Sequence, residues 1–349
     1  MSAFWRGKRV LVTGHTGFKG AWLSLWLTRL GAEVHGFALP PGTTPALFDQ
    51  LGLAAMMDHR LGDIRDAGAV RSAVEAVQPD VVLHLAAQSL VRRSYREPVE
   101  TWAVNVQGTV HLLDALRTLE RTCAVVIVTT DKVYQNREWS HAYREGDRLG
   151  GHDPYSASKA ATELAVSSYR SAFFEGAPVR IASARAGNVI GGGDWAEDRI
   201  VPDIVRALGR GEPVAIRNPA AVRPWQHVLE PLSGYLSLAR QLFETGDPAL
   251  TSAFNFGPEP GDVRTVSDLV DAALSRWPGR REASAEAGAP HEAGLLGLTI
   301  DRAAAVLDWY PRWRFDDTVA ATIDWYRQVD GGADPRTVSL DQIEMYGTP

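Results

Sequence analysis

A glycine-rich turn near the start of the chain constrains the fold more than any other feature. The run 8–12 is typical of a β-strand, and the segment 18–30 has the periodicity of an amphipathic helix. Between them stands Thr-Gly-His-Thr-Gly-Phe-Lys-Gly, with glycines at positions 14, 17 and 20. Glycines at this spacing let backbone N–H groups approach a pyrophosphate at the start of a helix. The turn therefore predicts a dinucleotide-binding βαβ unit more strongly than a purely structural turn.

Strand-like and helix-like segments then alternate along the first half of the chain. The runs 33–38, 80–84 and 124–129 predict strands, the runs 67–77 and 101–119 predict helices, and Gly31 fits a helix C-cap. This alternation predicts an α/β fold with a Rossmann-type, doubly wound parallel sheet. We expect the cofactor domain over 1–187, receiving a later segment near 222–256, and a smaller C-terminal substrate-binding lobe over 188–349. Loops are expected at 40–45 and 279–294.

Composition excludes several other classes of protein. The net charge of −6 disfavours a nucleic-acid or anionic membrane partner, because phosphate contacts need clustered cations. Cys123 is the only cysteine, so no intrachain disulfide can form. No apolar stretch approaches the roughly 18 residues of a membrane helix, and the chain opens directly into a strand. We expect a cytoplasmic protein, and no His, Cys or Asp spacing predicts a metal site.

The sequence indicates NAD as the cofactor but leaves NADP open. The second strand ends Phe-Ala-Leu-Pro, without an acidic residue to hold a ribose 2′-hydroxyl. His15 and Lys19 instead offer positive charge near that position. Asp63 and Ile64 lie where such folds often contact the adenine.

Tyr155 and Lys159 form the candidate catalytic pair, since an i, i+4 spacing places both on one helix face. Lowering a tyrosine pKa from about 10 to near 7 requires about 4 kcal/mol. A lysine about 5 Å away contributes roughly 3 kcal/mol at an effective dielectric constant of 20, and a cationic nicotinamide ring can supply the remainder. Only four of the 36 basic residues are lysine, which favours a chemical role for those at 132 and 159.

With the glycine loop and this pair, the chain resembles the extended short-chain dehydrogenase/reductases. Within that superfamily, Thr-Thr-Asp-Lys at 129–132 is similar to the segment of nucleotide-sugar 4,6-dehydratases, whereas epimerases usually carry small hydroxyl or apolar residues there. Lys132 replaces the glutamate of the more widespread dTDP-glucose form and resembles the CDP-glucose branch. The runs His-Leu-Ala-Ala-Gln at 84–88, Arg-Ala-Gly-Asn-Val-Ile-Gly at 185–191 and Arg-Pro-Trp-Gln-His-Val at 223–228 extend the resemblance over nearly the whole chain.

The resemblance implies an NAD-dependent lyase that converts CDP-D-glucose to CDP-4-keto-6-deoxy-D-glucose. In that reaction Tyr155 is the base at the 4-hydroxyl, Lys159 holds the tyrosinate and the nicotinamide ribose, and Thr130 bonds the reacting oxygen. Asp131 is the acid for the C6 hydroxyl, and Lys132 is either a base at C5 or a cation that stabilises the enolate.

The glycine loop and the resemblance together give the remaining site residues, and Arg199 and Arg217 are added as bidentate phosphate donors. The cofactor set is Gly14, His15, Gly17, Phe18, Lys19, Gly20, Asp63, Ile64, Leu85, Ala86, Ala87, Tyr155 and Lys159. The substrate set is Gln88, Arg93, Asn188, Arg199, Arg217 and Arg223. A homodimer is expected through helices near 101–119 and 155–174. Two alternatives stay open: another nucleotide-sugar dehydratase or epimerase, and a non-catalytic NAD(P)-sensing protein.

Overall fold

Strands and helices alternate through the N-terminal half of the computed structural model, which describes residues 2–284 and 294–347. The strands are β1 (Arg9–Thr13), β2 (Glu33–Ala38), β3 (Asp58–Leu61), β4 (Val81–His84), β5 (Cys123–Val128), β6 (Val179–Ala186), β7 (Val189–Ile190), β8 (Val214–Ile216), β9 (Val222–Arg223), β10 (Gln226–His227), β11 (Ala253–Phe256), β12 (Arg264–Thr265) and β13 (Arg281–Ala283). The helices are α1 (Ser2–Trp5), α2 (Phe18–Arg29), α3 (Leu47–Gln50), α4 (Ala67–Val77), α5 (Val91–Arg96), α6 (Pro98–Trp102), α7 (Gly108–Leu116), α8 (Pro154–Tyr169), α9 (Ile200–Gly209), α10 (Leu229–Thr245), α11 (Val266–Arg276), α12 (Asp301–Leu307), α13 (Phe315–Asp330) and α14 (Pro335–Tyr346).

Seven strands form one parallel sheet in the order β11-β6-β5-β4-β1-β2-β3. Val10 of β1 lies between Val34 of β2 and Val81 of β4. The chain changes direction across the sheet between β1 and β4, and this switch point is where such sheets bind ligands. The predicted Rossmann-type fold is confirmed.

Helices cover both faces of the sheet, which explains why its central strands are so apolar. Alternate residues of β1 point to opposite faces: Val10 and Val12 pack with α2 and α10, whereas Leu11 packs with α4 and α7. Strand β5 is buried along its whole length. This packing on both faces fixes the ends of the strands. It thereby fixes the positions of the loops that follow them.

Several features of this half differ from the sequence prediction, and strand β3 is among them because it was not predicted. The helix expected at 101–119 is divided, with π-helical turns at Ala103–Gln107 between α6 and α7. Strand β6 was not predicted, because Arg180, Ser183 and Arg185 interrupt its apolar pattern. All three polar side chains find partners inside the protein, so tertiary contacts override the local signal.

The C-terminal part consists of three short strand pairs and helices α9 and α11–α14. Strand β11 leaves this part to pair with β6 in the main sheet. Trp309, Trp325 and Tyr326 belong to the same apolar cluster as α2 and α10, so both parts share one core. Of the expected loop 279–294, residues 281–283 form β13 and residues 285–293 lie outside the described residues. Within the described part of the chain, no helix has the length and apolarity to cross a membrane.

Candidate active site

A cleft of about 1480 Å³ opens at the carboxyl ends of the central strands. The loops after β1, β4, β5 and β6 line its floor, and α9 with the β8–β9 segment lines the opposite wall. Its location follows from the parallel sheet, because all carboxyl ends meet at one edge.

The glycine loop forms one end of the cleft and is shaped by two close approaches. Gly14 has a φ of +77°, and a Cβ there would lie 2.7 Å from the Ala86 nitrogen. A Cβ on Gly20 would lie 2.1 Å from the Gly14 oxygen. Gly17 is the N-cap of α2 and provides no side-chain cap, so the first N–H groups of the helix face the loop. This geometry suits a pyrophosphate at the helix N-terminus.

The two basic residues of this loop, His15 and Lys19, lie in different environments. The His15 ring is buried below the loop, where its Nε2 is 2.7 Å from His59 Nδ1. Burial, and secondarily His59, lower the pKa of His15 to about 4, so the ring cannot supply the positive charge that the sequence suggested. Lys19 does line the cleft. Burial and then Arg199 lower its pKa to about 7.

Thr130, Asp131 and Lys132 form a short turn directly after β5. The Thr130 side chain caps this turn, and its Oγ1 donates to Asp131 Oδ1 at 2.9 Å. Asn188 Nδ2 donates to Asp131 Oδ2 at 3.1 Å, and Lys132 Nζ lies 4.0 Å from Asp131 Oδ1. Asn188 reaches this position from a left-handed conformation with a φ of +50°. Asn188, predicted to bind substrate, thus contacts the predicted acid.

Tyr155 and Lys159 lie one helical turn apart in the first half of α8, which Asp153 caps by accepting a hydrogen bond from the Ser156 N–H. Lys159 Nζ donates to the Val128 oxygen at 3.1 Å, which ties the helix to the end of β5. Burial raises the pKa of Tyr155 to about 12, and a hydrogen bond with Thr130 opposes this shift. Burial lowers the pKa of Lys159 to about 8. Burial therefore disfavours the ionised form of the Tyr155 phenol.

The other predicted cofactor residues also border the cleft. These are Phe18, Asp63, Ile64, Leu85, Ala86 and Ala87. Gln88 borders it too, but its amide is engaged by the protein: Nε2 donates to the Leu90 oxygen and Thr101 Oγ1, and Oε1 accepts from the Leu90 N–H. Gln88 thus shapes the loop after β4.

The four predicted substrate arginines reach the cleft in different environments. Arg199 pairs with the buried Asp194 at 2.8 Å, and Arg217 pairs with acidic residues of the loop before α9 and of α9 itself. Arg223 is buried and donates to the Val222 and Gly294 oxygens. Arg93 forms ion pairs with Glu97 and Glu100 and is 40% exposed, so it lies at the rim.

Sequence reasoning missed three residues of this region. Arg92 lines the cleft with a side chain only 15% exposed, whereas the predicted Arg93 is at the rim. Asp194 holds Arg199. Glu163 lies on α8 beneath the catalytic pair and binds the strand ends. The helical phase of residues 91–96 distinguishes Arg92 from Arg93, whereas Asp194 and Glu163 carry no local signal in the sequence.

Comparisons with known proteins agree with this geometry. A family model described as GDP-mannose 4,6 dehydratase matches residues 11–254. The CDP-glucose 4,6-dehydratase of Salmonella typhimurium is 46% identical, covering 98% of this chain and 97% of the relative. Among solved structures, the UDP-glucose 4-epimerase of Thermotoga maritima gives a TM-score of 0.78 at 22% identity, covering 92% of this chain and 99% of that one. A dTDP-glucose 4,6-dehydratase of Bacillus anthracis in complex with NAD gives 0.76 at 19% identity, covering 94% and 99%. These two share the fold. Because the family model spans most of the chain and the Salmonella relative nearly all of it, the chain belongs to the GDP-mannose 4,6 dehydratase family of nucleotide-sugar dehydratases.

Proposed function

We propose that this chain is an NAD-dependent CDP-glucose 4,6-dehydratase, which converts CDP-D-glucose to CDP-4-keto-6-deoxy-D-glucose. The observation that carries the proposal is a second acid–base pair, Asp131 and Lys132, 4.0 Å apart beside Tyr155 and Lys159. An epimerase needs one pair for reversible oxidation at C4, whereas loss of water from C6 needs another. The 46% identity to a CDP-glucose 4,6-dehydratase supports the nucleotide and the sugar.

The glycine loop fits NAD, because its close backbone contacts leave room only for main-chain donors. Gly14, Gly17 and Gly20 would hold the pyrophosphate, Asp63 and Ile64 the adenosine, and Lys159 the nicotinamide ribose. NAD, when bound, accepts hydrogen with its bonding electrons from C4 and later returns them to C6, so that it is not consumed.

Tyr155 removes the proton from the sugar 4-hydroxyl as C4 is oxidised. Its phenol is buried beside Thr130, which bonds the reacting oxygen. The tyrosinate needs a neighbouring cation, since burial raises the pKa of Tyr155. Lys159 supplies part of that charge, and the positive ring of the oxidised cofactor, when bound, would supply the remainder.

Asp131 and Lys132 then act on C6 and C5. The 4-ketone acidifies the C5 hydrogen, so Lys132 either takes that proton or stabilises the enolate that remains. Asp131, in its protonated form, gives its proton to the C6 hydroxyl, which leaves as water. A double bond forms between C5 and C6, and the return of hydrogen to C6 with a proton to C5 completes the product.

The nucleotide diphosphate is assigned to the arginine-rich wall of the cleft. Arg199, Arg217 and Arg223 offer guanidinium groups there, and such groups bind phosphate in a bidentate manner. Arg92 borders the same cleft and, like Arg217, approaches Asp198.

The assembly assigned to the enzyme is a homodimer. Val99, Trp102, Leu164 and Phe173 are exposed apolar residues on α6, α8 and the turn after α8. A second copy of the same helices would cover them. The single, buried Cys123 fits a reducing compartment such as the cytoplasm.

Isotope transfer tests the reaction directly. CDP-glucose deuterated at C4 should give a 4-keto-6-deoxy product with deuterium at C6, detected by mass spectrometry and NMR. Glucose nucleotides that carry other bases serve as control substrates for comparison with CDP-glucose. Stoichiometric release of NADH, or a C4-epimerised sugar with its C6 hydroxyl intact, would overturn the proposal.

A further inference from the structure

Glu163 is a buried carboxylate one helical turn beyond Lys159. It accepts hydrogen bonds from Thr129 Oγ1 at 2.5 Å, Ser183 Oγ at 2.7 Å and Arg185 Nη2 at 2.9 Å. The side chains of Glu163 and Arg185 are each 4% exposed. The carboxylate therefore ties the ends of β5 and β6 to the helix that carries the catalytic pair, without reaching the cleft.

Arg185 extends this network to the far side of the turn of residues 130–133, which we call the reactive turn. Its Nη1 donates to the Tyr134 hydroxyl at 2.9 Å and to the Glu145 oxygen at 3.1 Å. The Tyr134 hydroxyl in turn donates to Asn255 Oδ1 at 2.6 Å. Thr129 and Tyr134 flank the turn of residues 130–133, so the network holds it at both ends.

We propose that Glu163, paired with Arg185, is a positioning residue of this site: it holds the reactive turn against α8 and places a negative charge beneath Lys159. The inference rests on the proposed function for its kinetic consequences. A buried ion pair contributes little net stability compared with apolar residues of the same volume, which favours a role in geometry and charge.

The charges around Lys159 explain why a counter-ion matters. The charged and titratable groups that interact with Lys159 are Glu163 on its own helix and Lys19 and His84 from other elements. Tyr155 precedes Lys159 by one helical turn, Asp131 interacts with Tyr155, and Arg185 pairs with Glu163. Burial lowers the pKa of Lys159 to about 8, and Glu163 raises it. His84 is neutral, because burial and Lys159 lower its pKa to about 3. The Lys159 cation is present below its pKa and is lost as pH rises, so removing Glu163 moves this loss to lower pH.

The test uses the scarcity of lysine in this chain. Lysine labelled with ¹³C at Cε gives only four side-chain signals, from Lys8, Lys19, Lys132 and Lys159, and the Lys159→Met variant assigns the last. In the full-length enzyme, Glu163→Gln should lower the Lys159 titration midpoint by about one pH unit or more. The alkaline limb of kcat for CDP-glucose should move by the same amount.

Two further variants separate the contributions of charge and geometry. Glu163→Asp keeps the charge but withdraws the carboxylate from Thr129, so it should preserve the titration midpoint and lower kcat about tenfold. Glu230→Gln is the matched control, because Glu230 is equally buried and bonds the Arg312 and Trp313 N–H groups and the Tyr346 hydroxyl, far from Lys159. It should lower Tm and leave the Lys159 midpoint unchanged.

The outcomes are distinct. A Glu163→Gln enzyme with the wild-type Lys159 midpoint and pH profile overturns the inference. If that variant does not fold, the double variant Glu163→Gln, Arg185→Met leaves no uncompensated buried charge. It should still lower the Lys159 midpoint, by less than the single variant because the Arg185 cation is removed as well, and an unchanged midpoint would overturn the inference. If the wild-type enzyme fails to dehydrate CDP-glucose, the proposed function is refuted. If Glu163→Gln nevertheless lowers the Lys159 midpoint, the positioning role is retained.

Discussion

Replacing Lys132 by methionine should separate elimination of water from oxidation at C4. Lys132 Nζ lies 4.0 Å from Asp131 Oδ1, and its side chain is 28% exposed. Two unit charges at that distance interact by about 4 kcal/mol at an effective dielectric constant near 20, and partial exposure reduces this to about 2 kcal/mol. A cation equally close to the developing enolate thus contributes about 2–4 kcal/mol, or roughly 30-fold to 10³-fold in the elimination rate.

The assay is single-turnover mixing of NAD-loaded enzyme with CDP-glucose, followed by NADH absorbance. Wild-type enzyme should show at most a transient signal, whereas Lys132→Met should accumulate NADH and CDP-4-ketoglucose. Lys8→Met is the matched control, because Lys8 packs over Phe243 away from the cleft. If Lys132→Met dehydrates CDP-glucose at the wild-type rate, the assigned role is refuted. A base gives an elimination rate that falls as the amine becomes protonated at low pH, and a stabilising cation does not.

Two further variants test the base and the cofactor loop. Tyr155→Phe should lower kcat by about 10² or more, with little change in KM and no NADH signal. The control Tyr310→Phe, at an exposed tyrosine, should leave kcat and KM unchanged. Near-normal turnover of Tyr155→Phe would exclude Tyr155 as the base. Gly20→Ala should abolish NAD binding measured by calorimetry, since its Cβ would lie 2.1 Å from the Gly14 oxygen, and Gly209→Ala, with open space around its Cβ, is the control. Undiminished affinity in Gly20→Ala would contradict the assignment of the loop.

The chemistry-bearing motifs were recognisable from the sequence because each is local. The glycine loop combines a turn, a helix start and a close backbone contact within eight residues, and Tyr155 with Lys159 needs only helical periodicity. Strand β2 and helix α4 have the predicted bounds, since their apolar patterns follow single periodicities. The segment 129–132 was identified through its resemblance to that of the nucleotide-sugar 4,6-dehydratases, and it follows the continuous apolar run of β5.

The sequence by itself thus determined the fold class, and it predicted the edge of the sheet for the ligand site and the residue types assigned to the reaction. Only the tertiary structure decided which polar side chains face that edge. The His15 ring lies below the loop, although the glycines of that loop line the cleft. The Arg92 side chain lies inside the cleft, whereas the Arg93 side chain lies at its rim. Glu163 and Arg185 meet although 22 residues separate them, because β6 is parallel to β5 beneath α8. Such contacts depend on how strands and helices pack, and no local periodicity encodes them.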